Sequence, residues 1–76
     1  MIHLRLYADL RPQDKPDNKE LQVEPRPGMT VADVVREARV PEGAIGIVVI
    51  NGRAGSLGSS LVEGDRVAVF PAVCGG

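Results

Sequence analysis

Residues 61–76 read Leu61-Val62-Glu63-Gly64-Asp65-Arg66-Val67-Ala68-Val69-Phe70-Pro71-Ala72-Val73-Cys74-Gly75-Gly76. Leu61 is a lone apolar residue after a Gly/Ser-rich loop and reads as a plug returning to a core. Gly64-Asp65 is a turn dipeptide. Arg66 to Val73 is predicted as the last strand, with Val67 and Val69 on one face and Phe70 in the opposite phase. Cys74, Gly75 and Gly76 then read as a flexible tail. Glycine lacks a Cβ, so such a tail threads a narrow channel and leaves its terminal carbonyl uncrowded. A carboxylate on Gly76 is therefore expected to be a reactive handle, with the rest of the chain presenting it.

The segments before this stretch supply the holder. Ile2, Leu4 and Leu6 alternate with His3, Arg5 and Tyr7, the pattern of a half-buried strand. Asp9 to Asn18 is polar and carries Pro12 and Pro16. It is too long for a tight hairpin and is expected to be a mobile loop. Glu20 to Glu24 alternates again, with Leu21 and Val23 inward. Pro25, Pro27 and Gly28 break the chain as a strand-to-helix connector. Thr30 is placed to cap a helix, with Asp33 in its first turn. Val31, Val34, Val35 and Ala38 follow at helical spacing and form one apolar stripe. Pro41 ends that helix by about residue 40. Gly46 to Ile50 is a β-branched run expected to be a buried strand. Asn51-Gly52 is the strongest short hairpin signal, and Arg53 and Ala54 start a short return strand.

The order is strand, strand, helix, strand, short strand, strand. One helix covers one face of a small mixed sheet, an α+β architecture. The first and last strands are expected side by side at the sheet's centre. Residues 1–73 form the one domain, and residues 74–76 are the tail.

Composition excludes several functions. The chain has 76 residues, nine Lys and Arg against ten Asp and Glu, and a formal net charge of -1. That balance gives no electrostatic case for nucleic acid or an anionic membrane. The apolar run from Ala44 to Ile50 is far too short to span a bilayer. One cysteine and one histidine make neither a disulfide framework nor a zinc site. His3 reads as a plain surface residue. The glycines between Asn51 and Ser60 lack the spacing of a phosphate loop and read as turn residues. A soluble cytoplasmic protein that binds no cofactor or metal is expected.

The two aromatics point to a docking face. Tyr7 is opposite in phase to Ile2, Leu4 and Leu6, as Phe70 is to Val67 and Val69. If the helix covers the apolar rows, Tyr7 and Phe70 meet on the uncovered side, flanked by Arg5 and Ala68. Exposed aromatic clusters mark partner sites. The plainer alternative is a minor second core.

The whole chain resembles the MoaD/ThiS sulfur-carrier family of ubiquitin-like proteins. The resemblance rests on the Leu61-x-x-Gly64-Asp65 turn, the apolar last strand and the terminal Gly75-Gly76. Val48-Val49-Ile50-Asn51-Gly52 and Thr30-Val31-Ala32-Asp33-Val34 are similar to the family's third strand and helix start. Phe70-Pro71 is more similar to the molybdopterin-synthase small subunit branch than to the thiamine branch. Two departures are Cys74, where the family more often has Ala or Gly, and the proline-interrupted segment from Asp9 to Asn18.

The resemblance implies a β-grasp fold and a non-catalytic carrier. A partner adenylating enzyme of the ubiquitin-activating type would use ATP to form an acyl-adenylate on Gly76. A sulfur donor would then convert it to a thiocarboxylate. The recipient would be a synthase large subunit, in molybdopterin biosynthesis or in a thiazole, amino-acid or tRNA pathway. Two rivals remain: a ubiquitin-like modifier conjugated to lysine through Gly76, and a non-covalent β-grasp binding module. Cys74 reads as a tolerated small residue, with thiol exchange beside the terminus as the sharper reading.

Overall fold

The computed structural model describes residues 1–8, 10 and 19–72. Five strands form one sheet: β1 (Ile2–Leu6), β2 (Glu20–Val23), β3 (Ile45–Ile50), β4 (Arg53–Gly55) and β5 (Arg66–Pro71). Helix α1 (Val31–Glu37) follows β2, and a 3-10 turn (Glu42–Ala44) precedes β3. The strand order is β2-β1-β5-β3-β4. β1 and β5 are parallel neighbours, with Leu4 opposite Val67 and Leu6 opposite Val69. The other pairs are antiparallel. The expected pairing of first and last strands is therefore present.

The inward rows explain why those two strands sit inside the sheet. Ile2, Leu4, Leu6, Val67 and Val69 are all buried, as are Val31, Val34 and Val35 of the helix. Burial of each such side chain contributes about 1.5–3 kcal/mol. The helix has only seven residues. That is far below the length at which isolated helices persist in water, so packing on the sheet holds it.

Its ends are closed locally. The Thr30 N–H and hydroxyl both donate to Asp33 Oδ2, at 3.0 and 3.1 Å, and the Asp33 N–H returns to Thr30 Oγ1 at 3.4 Å. These bonds satisfy amides at a helix start that would otherwise lack partners. At the other end, Arg39 N–H donates to Arg36 O and Val40 N–H to Val35 O. Arg39 adopts φ 61, the left-handed position of a Schellman termination. The helix stops at Glu37, earlier than Pro41 alone suggests. Buried Val40 folds back onto the core beside Val35.

Two expectations need correcting. The strand around Gly46 to Ile50 is not buried throughout: Val48 is, but Ile47 is 54% exposed. The helix covers one face only, so alternate residues of even a continuous apolar run face away from it. A register shift between Ile45 and Ile47 then turns Ile45 back onto the core. The segment from Asp9 to Asn18 is not polar throughout, because Leu10 is a core residue. Its N–H reaches the Tyr7 carbonyl, which bends the chain inward straight after β1. The remaining residues of that segment, and residues 73–76, lie outside the described residues.

The hairpin at Asn51-Gly52 has φ 51 and φ 82, the paired positive values of a type I′ turn. Leu61 is buried, and its N–H donates to Met29 O at 2.8 Å.

Candidate functional site

Among the described residues, nothing packs over the face of the sheet away from α1. Three rows cross it. Gln22, His3 and Arg66 share one row. Glu20, Arg5, Ala68, Val49 and Ala54 share the next. Phe70 and Ile47 sit opposite one another in the third, joined by Tyr7. The face is thus polar at the start of β5 and apolar at its end. It forms a shallow trough of about 900 Å³ lined by Arg5, Tyr7, Val49, Ala68 and Phe70 among others.

Tyr7 lies just past β1, and its backbone fixes it there. Its N–H donates to Val69 O at 3.1 Å, extending the central ladder by one step. Its carbonyl accepts the Leu10 N–H. The Tyr7 and Phe70 rings stack with centroids 4.5 Å apart and planes 13° from parallel. The Arg5 guanidinium lies 5.4 Å from the Tyr7 ring centroid. Arg5 also pairs with Glu20 at 3.7 Å, but both side chains are mostly exposed. Such a surface pair is worth only about 0–1 kcal/mol, so Arg5 is readily available to a partner.

The structure therefore gathers Tyr7, Phe70, Arg5 and Ala68 on one face. Sequence reading missed Ile47 and Val49, which extend the same patch. An unbroken β-branched run carries no alternation from which to read its phase. Cys74, Gly75 and Gly76 lie outside the described residues. His3 is exposed on the polar row. Among the described residues, no cluster of His, Cys, Asp and Glu could hold a metal ion. Nor is any described helix long and apolar enough to cross a membrane.

A polar network positions the start of β5. The Val62 N–H donates to Asp65 Oδ2 at 2.9 Å, and the Asn51 amide donates to Asp65 Oδ1 at 3.0 Å. Asn51 Oδ1 accepts the Arg66 N–H at 2.9 Å. Gly64, at φ +88, makes the turn that brings Asp65 round. This is the physical content of the Gly64-Asp65 signature. It ties the β3–β4 hairpin to the strand that leads to the tail. The Val62 N–H, and then Asn51, hold the Asp65 carboxyl below the usual carboxylate range. Hydrogen bonds from the Thr30 backbone and hydroxyl do the same for Asp33.

The ThiS family model matches residues 4–76. The chain belongs to the ThiS family. It is thus one of the small sulfur-carrier and ubiquitin-like modifier proteins, which are not themselves catalysts. Carriers of this kind work with activating enzymes and synthase partners. Solved structures agree on the fold. A Pyrococcus furiosus protein assigned as molybdopterin converting factor, subunit 1, is 25% identical, with TM-score 0.68 over 95% of this chain and 97% of that one. The Haloferax volcanii HVO 2177 protein is 26% identical, with TM-score 0.69 over 99% and 85%. The small archaeal modifier protein 1 of H. volcanii is 24% identical, with TM-score 0.70 over 95% and 97%, a likeness of fold alone. No curated protein matches the sequence. The ThiS-family chain thus has the β-grasp fold that its resemblance implied.

Proposed function

We propose that this ThiS-family protein is a sulfur carrier whose working group is the Gly76 carboxylate. The observation that carries the reading is a family match running through Gly76. The carboxylate is a poor electrophile, so it must first be activated. Its oxygen attacks the α-phosphorus of ATP and expels pyrophosphate, which leaves an acyl-adenylate. A sulfur nucleophile from the donor then attacks the terminal carbonyl and displaces AMP. The product is a thiocarboxylate. Charge stabilisation for the phosphoryl step belongs to the activating enzyme. The chain supplies the terminus and the surface that docks it.

That surface is the patch of Tyr7, Phe70, Arg5 and Ala68, extended by Ile47 and Val49. Ordering tail residues in an active site costs about 1–2 kcal/mol each, so the folded face must supply most of the affinity. The acceptor is a molybdopterin-type synthase, a reading supported by Phe70-Pro71 and by the likeness to the P. furiosus molybdopterin converting factor.

The test is intact mass after incubation with ATP, sulfide and an activating enzyme. The expected gain is that of one oxygen replaced by sulfur, located on Gly76. Isopeptide-linked Gly76 on cellular lysines, with no thiocarboxylate, would assign the protein as a modifier instead.

A further inference from the structure

The end of β5 is seated against β3 by a contact that depends on one missing side chain. The Ala72 N–H donates to Ala44 O at 3.0 Å. Ile45 is paired with Pro71 and Ile47 with Phe70, so the register shift puts Gly46 beside the departing chain. A Cβ on Gly46 would lie 2.5 Å from Ala72 Cα and 2.9 Å from both Ala72 N and Pro71 O. All three are backbone atoms, so no rotamer change relieves the clash. Gly43, in the adjacent 3-10 turn, would meet nothing within 4 Å.

We propose that Gly46 is a positioning residue for transfer. Its bare Cα lets Pro71 and Ala72 seat on the β3 bulge, which sets where and in what direction the terminus leaves the domain. The inference rests on the carrier reading of Gly76. Residues 73–76 reach at most about 14 Å when fully extended, so the position of their root decides what the terminus can enter. A seated root also leaves fewer residues to be ordered when the terminus is bound. Each residue freed from the seat lowers kcat/KM by about 5–30-fold.

The test compares Gly46→Ala with Gly43→Ala in the full chain. Three quantities are measured: amide exchange, affinity for the activating enzyme, and the rate of adenylate formation. In Gly46→Ala the Ala72 amide should lose protection, while those of Leu4 and Val69 keep theirs. The kcat/KM for adenylate formation, which carries a loss of affinity as well as one of turnover, should fall by about 5–30-fold. Gly43→Ala should match wild type in all three. Wild-type kcat/KM in Gly46→Ala, or undiminished protection of its Ala72 amide, overturns the proposal.

If Gly46→Ala does not fold, Ala72→Gly takes its place, because Ala72 is exposed and outside the core. Added backbone freedom there should lower kcat/KM by about 2–5-fold, and wild-type kcat/KM would overturn the proposal. If wild-type protein forms no adenylate, the carrier reading fails. Ala72 exchange in the two variants still decides whether Gly46 seats the chain.

Discussion

Truncating the stacked aromatics separates docking from folding. Tyr7 and Phe70 stack at 4.5 Å, and Arg5 lies over the Tyr7 ring. An aromatic pair contributes about 0.5–1.5 kcal/mol beyond its area, and an exposed cation–π contact about 0.5–1 kcal/mol. Tyr7→Ala therefore costs about 1–2.5 kcal/mol of stability beyond the area it uncovers, against a total of roughly 4–11 kcal/mol for a chain of this length. The variant stays folded. Its loss of partner affinity should be larger in effect, because aromatic anchors at the centre of a desolvated patch cost about 2 kcal/mol or more when truncated, or about 30-fold in Kd. Phe70→Ala should behave alike. The double variant should show a coupling in stability of about 0.5–1.5 kcal/mol. Urea unfolding gives the stability terms, and titration calorimetry against the activating enzyme gives Kd. Unchanged Kd in both single variants, with urea midpoints showing them folded, would refute the docking role of this face.

Four further outcomes are expected. Leu4→Ala, in the centre of the core, should lose about 2–5 kcal/mol in urea unfolding, a large part of the total. Thr30→Ala removes the helix cap and should cost about 1 kcal/mol, read as a lower thermal midpoint. Asp33 and Asp65 are both held below the ordinary carboxylate range in the folded state. Their contribution is therefore fully present above the ordinary aspartate value of about 3.9 and is lost as pH falls through the lower folded values. Denaturant midpoints should drop in that acid window, and Asp65→Asn should shrink the drop. Removing Gly75 and Gly76 should abolish thiocarboxylate formation without moving the thermal midpoint, since glycine has no side chain to bury. Retained formation would show that the terminus is not the working group.

Local chemistry fixed much of this protein before any long-range contact formed. Period-two alternation at Ile2, Leu4 and Leu6 set the inward face of β1. The spacing of Val31, Val34, Val35 and Ala38 set the helix stripe, Thr30 and Asp33 its start, and Asn51-Gly52 the hairpin. Each rests on the backbone preferences of adjacent residues, which a linear reading contains. The proposed docking patch was half legible, because Tyr7 and Phe70 have a readable phase while Ile47 and Val49 sit in an unbroken apolar run.

Tertiary structure decided the rest. It made β1 and β5 parallel neighbours, stacked Tyr7 on Phe70 from opposite ends of the chain, and drew Leu10 into the core. It joined Asn51 to Asp65, and it pressed Ala72 against Gly46. These contacts link residues far apart in sequence, and their geometry depends on strand register and on a bulge. Neither is encoded in any one segment, because each is settled only when the segments compete for the same buried face.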